Sequence, residues 1–141
     1  MVRQYPHWWN TSLTIFNRIF DSSAKQTTWQ KTTLHGCFYL QDSGLAYSDA
    51  QIRAACSYVV RIPEDSRYVA QSQWENMQNG RKGRFTLAPG DLIFKGEIRE
   101  VLLGGSGNSL LEQYRPNCFK IQTVYDGSGY GVLGHYVAEG V

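Results

Sequence analysis

A chain of 141 residues has room for one core, so residues 1–141 are read as a single β-rich domain. A hydrophobic fraction of 42% excludes a disordered chain, and no apolar run approaches the roughly 20 residues of a membrane-spanning helix. Fourteen basic residues against twelve acidic ones leave a net charge of +2, too little to mark a nucleic-acid partner, with one basic cluster at Arg81-Lys82-Gly83-Arg84.

Cys37, Cys56 and Cys118 form no CxxC pair and are odd in number, so free buried thiols are expected rather than a disulfide framework. The first ten residues hold Arg3, Pro6 and two Trp but no apolar h-region. We therefore expect no cleavable secretory signal, synthesis in a cytoplasm, and no use of the sequon Asn10-Thr11-Ser12. The aromatic fraction of 13%, with nine Tyr and four Trp, suits both a β-sheet and an interaction surface.

In chain order, residues 13–20 (LTIFNRIF) read as a strand from their β-branched and aromatic content, and Asp21-Ser22-Ser23 as the turn of a hairpin. Residues 27–40 continue as a Thr- and aromatic-rich strand, with Gly36 marking a bulge or bend. Asp42-Ser43-Gly44 is read as the end of that strand and the start of a polar stretch to Arg53, with Ser48 or Asp49 capping a short helix through Ala55. Residues 57–62 alternate, placing Tyr58, Val60 and Ile62 toward the core and Ser57 and Arg61 outward, until Pro63 ends the ladder.

Residues 64–83 are the most polar part of the chain, with one or two helical turns over 72–77 stopped at Gly80. A short strand is predicted at 85–87, a turn at Pro89-Gly90, and a strand over 91–103 kinked at Gly96. A glycine loop at 104–108 leads to a helical turn over 110–114 capped by Ser109. Residues 119–125 alternate, with Phe119, Ile121 and Tyr125 on one face, and a last short strand falls at 135–137. Six or seven short strands separated by turn signals predict a mainly β fold, a small barrel or sandwich with long loops and one or two short helices.

Patterns that carry chemistry fail on context. Gly129 to Gly134 matches GxGxxG, yet too few residues follow for the helix, second strand and acidic residue of a dinucleotide site. His35 and Cys37 have strand spacing suited to two metal ligands, but Cys118 or His135 would have to complete the site from afar. No GxSxG elbow is present, and Glu64-Asp65 reads as solvated charge. The expectation is a protein that is not an enzyme and uses no metal or cofactor. Trp8-Trp9 reads either as a cover over one end of a barrel or as a contact for a partner, and Trp8, Trp9, Trp74 and Tyr136 form the candidate interaction surface.

One order of segments is familiar. Leu13-Thr14-Ile15-Phe16-Asn17-Arg18 precedes Trp29 and a Thr-rich strand ending near Gly36. Tyr58-Val59-Val60-Arg61-Ile62-Pro63 follows. Then come Phe85-Thr86-Leu87-Ala88-Pro89-Gly90-Asp91-Leu92-Ile93-Phe94-Lys95-Gly96 and Lys120-Ile121-Gln122-Thr123-Val124-Tyr125. Over most of its length the chain resembles small proteins encoded in the head–tail region of long-tailed bacteriophages and prophages, of the head–tail connector or stopper (head-completion) type. The most specific part is the GDLIFKG stretch. The resemblance implies a β-barrel that forms a cyclic homo-oligomeric ring in the virion. Its partners would be portal or adaptor and tail proteins, with non-specific contact to DNA in the channel and none to a membrane. In such a ring the segments near 41–53 and 64–83 are expected to supply loops between subunits or toward the channel. The competing readings are an aromatic-rich carbohydrate-binding or tail-associated module, which predicts a coplanar row of aromatics, and an OB-like nucleic-acid binder, which needs basic and aromatic residues interleaved on one face.

Overall fold

The computed structural model of the chain describes residues 5–48, 51–129 and 133–141, with 43–48 and 51–56 described through their backbone alone. The apolar run around Leu13 forms β1 (Thr11–Asp21), which turns back into β2 (Gln26–Ser48). Asp21 builds the turn: its Oδ1 accepts from Ser23 Oγ at 2.7 Å and from the N–H groups of Ser23 and Ala24 at 3.0 and 3.2 Å. These bonds, the Ser23 hydroxyl first, hold its carboxyl below the usual aspartate range. The remaining strands are β3 (Gln51–Pro63), β4 (Leu92–Lys95), β5 (Cys118–Gly127) and β6 (His135–Gly140). They close an antiparallel barrel in the order β1-β2-β3-β6-β5-β4. Two short helices, α1 (Gln71–Asn76) and α2 (Asn108–Tyr114), lie in the connections. Of the two predicted architectures, the barrel is the one adopted.

Alternation explains the interior. Leu13, Ile15, Leu34, Tyr58, Val60, Ile62, Ile93, Phe119 and Ala138 are buried together, with Phe85 and Leu87 added from the connection before β4. Tyr58 and Phe119 stack with ring centroids 5.3 Å apart. The runs LTIF and LIF are buried at every position, Thr14 included, because β1 and β4 are covered on both sides there. Phe16, Leu92, Phe94 and Cys118 form a second cluster with Ile98, Leu110 and Leu111, which are brought over the barrel's outside by α2 and the loop before it.

Gly36 sits in a bulge, as predicted. Thr11 pairs with Cys37 but Leu13 with Leu34, so β2 carries one extra residue there, and Gly36 takes φ 71°. At Pro89-Gly90 the chain makes the predicted turn, closed by Asp91 N–H to Ala88 O at 3.0 Å with Gly90 at φ 95°.

Several expectations are corrected. No strand end occurs at Asp42-Ser43-Gly44, and no helix runs to Ala55. The β2–β3 ladder passes through Asp42↔Ser57 and Gly44↔Ala55 out to Ser48↔Gln51. A helix of seven residues must bear its own nucleation cost, whereas a hairpin prolongs a ladder that already exists. Asp49 lies outside the described residues. Residues 41–48 and 51–53 are therefore strand, not loop.

The strand predicted over 91–103 stops at Lys95, because Gly96 turns at φ 86° and its N–H bonds Ser12 O at 2.6 Å. Residues 85–87 are buried, yet among the described residues their strand-type pairing is a single parallel bridge, Tyr68↔Phe85. Gly107, not Ser109, caps α2. Tyr125 was expected beside Phe119 and Ile121, but a bulge between Ile121 and Thr123 reverses the faces. Val124 then packs on the core while Tyr125 is 54% exposed.

Candidate functional site

The four aromatic residues singled out from the sequence separate in the structure. Trp8 is 57% exposed, with His7 edge-on to it at 5.2 Å. Trp9 is half-buried, stacked on Tyr5 at 5.3 Å and edge-on to His135 at 5.2 Å, so it packs against the start of β6. Trp74 and Tyr136 are buried, which removes them from an interaction surface. Tyr136 stacks on Tyr68 at 3.9 Å, and Trp74 is the buried residue of α1. An isolated aromatic in a polar stretch reads as exposed from sequence, because nothing local reveals that the stretch folds back over the barrel.

His35 and Cys37 do not share a face, since the bulge between them turns one out and the other in. His35 is exposed, 2.9 Å from Ser12 Oγ and 3.6 Å from Glu97, while Cys37 is buried and its thiol is pushed up to about 12 by burial. Cys118 bonds Leu111 O, and burial pushes its thiol up to about 11. His135 contacts Arg61 at 3.0 Å. Among the described residues no three His, Cys, Asp or Glu side chains come together as a metal site. Gly134 leads directly into β6 rather than into a helix, and residues 130–132 of the GxGxxG match lie outside the described residues.

Two features stand apart from the barrel wall. The first is the far part of the β2–β3 ladder. The last rung of β2 with β1 is Cys37↔Thr11, and that of β3 with β6 is Tyr58↔Gly140. Beyond Asp42↔Ser57, residues 43–48 and 51–56 pair with each other, and among the described residues no third strand joins them. Six residues at about 3.4 Å each carry this two-stranded ribbon about 20 Å past the barrel. Its register alternates sharply. The positions of Ser43↔Cys56, Leu45↔Ala54 and Tyr47↔Ile52 follow the parity of the core residues Cys37 and Tyr58, while Gly44↔Ala55, Ala46↔Arg53 and Ser48↔Gln51 make up the other face.

The second is a buried polar knot beside a cavity. Asn17 and Asp91 are 0% and 2% exposed. Asn17 Nδ2 donates to Thr86 O at 2.6 Å and to Asp91 Oδ2 at 2.9 Å, and its Oδ1 accepts from Thr86 N–H at 3.2 Å. Asp91 also accepts from the N–H groups of Arg18 at 2.9 Å and Ala88 at 3.1 Å. One asparagine side chain thus satisfies both backbone groups of Thr86. Burial outweighs these donors and pushes the Asp91 carboxyl up to about 6. The adjoining cavity holds about 290 Å³ and is lined by Arg18, Phe20, Trp74, Glu75, Thr86 and Asp91 among others. Sequence reasoning missed it. Its residues come from β1, α1 and the Pro89-Gly90 turn, and no local spacing joins them.

Fold and site together define a small closed antiparallel β-barrel with a two-stranded extension and a polar cavity in its wall. The chain belongs to DUF6751, a family of unknown function, whose profile matches residues 8–141. Comparisons with curated proteins and with solved structures give no match.

Proposed function

We propose that this protein is a structural subunit that works by assembly, forming a ring in the head–tail connector of a tailed bacteriophage. The ring joins portal to tail and helps retain DNA in the head. The subunit is made in the cytoplasm of the bacterial host and ends in the virion, acting without catalysis. Two lines support this reading: the resemblance carried by the strand segments and the GDLIFKG stretch, and the ribbon of residues 43–48 and 51–56.

The ribbon carries the argument. A two-stranded hairpin without further cover is marginal in water, and this one keeps the core parity of Leu45, Tyr47, Ile52 and Ala54 beyond the barrel that would cover it. A surface of this kind gains stability from a neighbour. Where it meets a different surface of the next copy, the contact is heterologous, and a rotation that closes yields a ring. Trp8, Leu40, Val101 and Leu103 are each exposed on the barrel and are apolar positions that a neighbour can cover.

Native mass measurement of the full chain, alone and with portal complexes of a tailed bacteriophage, tests the proposal. A discrete ring mass, or stoichiometric addition to the portal, is the expected result. A strict monomer under both conditions overturns it.

A further inference from the structure

We infer that the cavity shared by Arg18 of β1 and Lys120 of β5 binds a doubly charged phosphate group, either the free ion or a small monoester. This goes beyond the assembly role and does not depend on it. The strand registers bring the two cations to one place. Phe16 pairs with Leu92 and Leu92 with Lys120, so the three lie on one face of the wall, and Arg18 follows Phe16 by two residues on that face. Just before Leu92 the strand gives way to the Pro89-Gly90 turn, and a cavity of about 290 Å³ opens there. It is walled by Arg18, Thr27, Trp29, Gly90, Lys120 and the Gly105-Ser106 loop.

Charge is the observation that points to a ligand. Two cations border this cavity, and no carboxylate among the described residues lines it. Neither the Arg18 guanidinium nor the Lys120 ammonium makes a hydrogen bond or ion pair with a described residue. The buried Asp91 carboxylate attracts Arg18, but its oxygens are taken by Asn17 and by the N–H groups of Arg18 and Ala88. Like charges around one hollow repel, and a cleft lined by a single sign of charge concentrates the opposite ion.

The rest of the wall suits an oxyanion. A Cβ on Gly90 would stand 3.0 Å from the Arg18 guanidinium, so the glycine lets that group lie against the turn. Ser106 Oγ accepts from Asn108 N–H at 3.3 Å, which leaves its O–H to donate, and Thr27 adds a second hydroxyl. Trp29 Nε1 donates to Gly105 O at 2.9 Å and ties the loop to β2. Arginine meets two phosphate oxygens at once, and lysine adds a point charge. A phosphate monoester carries nearly two negative charges at neutral pH, matching two cations, whereas each phosphodiester carries one. The volume lies at the small end of ligand sites, about 300–1,000 Å³, which suits a small ester rather than a polymer.

The test follows the indole N–H resonance of Trp29 in the full-length protein in about 0.15 M chloride, where exposed charges are screened. Inorganic phosphate, glycerol phosphate and adenosine monophosphate are titrated separately, with glycerol and adenosine as uncharged controls and a short DNA duplex as the phosphodiester. At least one phosphate should shift the resonance saturably, and the uncharged controls should not. Equal affinity for inorganic phosphate and the esters identifies the free ion as the ligand, and tighter binding of an ester identifies the monoester. Arg18→Gln, at an exposed position, and Lys120→Gln, at a half-buried one, should each weaken binding about ten- to hundredfold, the range of one charged hydrogen bond. Lys82→Gln, exposed and outside the cavity, should leave it unchanged. The proposal is overturned if no phosphate gives a saturable shift, or if an uncharged control shifts the resonance as strongly. It is equally overturned if Lys82→Gln weakens binding as much as the cavity variants, or if the duplex binds more tightly than every small phosphate.

Discussion

Replacing Asp91 by Asn isolates the cost of keeping a carboxylate inside the barrel wall. An ordinary aspartate titrates near 3.8, and burial pushes Asp91 up to about 6. Because the folded-state value is the higher one, the folded protein holds the proton longer than the unfolded chain does. The contribution of Asp91 to stability is therefore greatest below about pH 4 and falls as the pH rises to about 6, above which it is constant. A gap of about two pH units at about 1.4 kcal/mol each makes the fall about 3 kcal/mol. Asp91→Asn removes the titration, although its amide must turn an NH₂ toward Arg18 N–H or toward the Asn17 and Ala88 donors, a fixed cost of about 1–3 kcal/mol. Urea unfolding of both proteins between pH 3.5 and 7.5 (roughly the span of the two titrations) gives a difference curve free of every other titrating group. The wild-type protein should lose about 3 kcal/mol relative to the variant across that span. A difference that does not change with pH refutes the reasoning and places the Asp91 value at that of a solvated carboxyl.

Asn17→Ala removes three buried hydrogen bonds at once and leaves both Thr86 backbone groups unpaired, so it should destabilise by roughly 3–5 kcal/mol in the same unfolding assay. Gly140→Ala should cost roughly 3 kcal/mol, read as a lowered melting temperature, because the new Cβ runs into the Lys120 carbonyl and lies 2.8 Å from Phe119 Cδ2. Replacing residues 43–56 by Asn-Gly, a two-residue turn suited to the Asp42↔Ser57 pair, should leave the barrel's stability within about 1 kcal/mol. The same variant should abolish any ring seen by native mass measurement, and retention of the ring would assign the subunit contact elsewhere.

The barrel was legible wherever one residue type repeats with a period of two. Tyr58, Val60 and Ile62 face the core as their spacing demands, and Gly36 and Pro89-Gly90 bend the chain where their backbone freedom predicts. What the sequence hid was long-range. Ser43 and Gly44 look like a strand end until one knows that Cys56 and Ala55 lie opposite them. Tyr125 looks inward until the bulge after Ile121 is in place. Trp74 looks like a surface aromatic because the arginine that covers its ring is seven residues away in a separate turn. The cavity was the least visible of all, since Arg18 and Asp91 are joined across 73 residues by the bond from the Arg18 backbone N–H to the Asp91 carboxylate.

Closure of the barrel also has a kinetic side. The β1–β2 and β2–β3 pairings are hairpins that form locally, whereas β1 meets β4 at Leu13↔Lys95 and β3 meets β6 at Tyr58↔Gly140. Loop-closure entropy delays such distant pairings, and we expect the two seams to close last, on the slow side of about milliseconds to seconds. Until β6 arrives, β3 presents an open edge running from the barrel into the ribbon, a continuous template for another chain. Only after the last strand is seated is strand-edge pairing confined to the ribbon, so premature contact between half-folded copies competes with ordered assembly at that step.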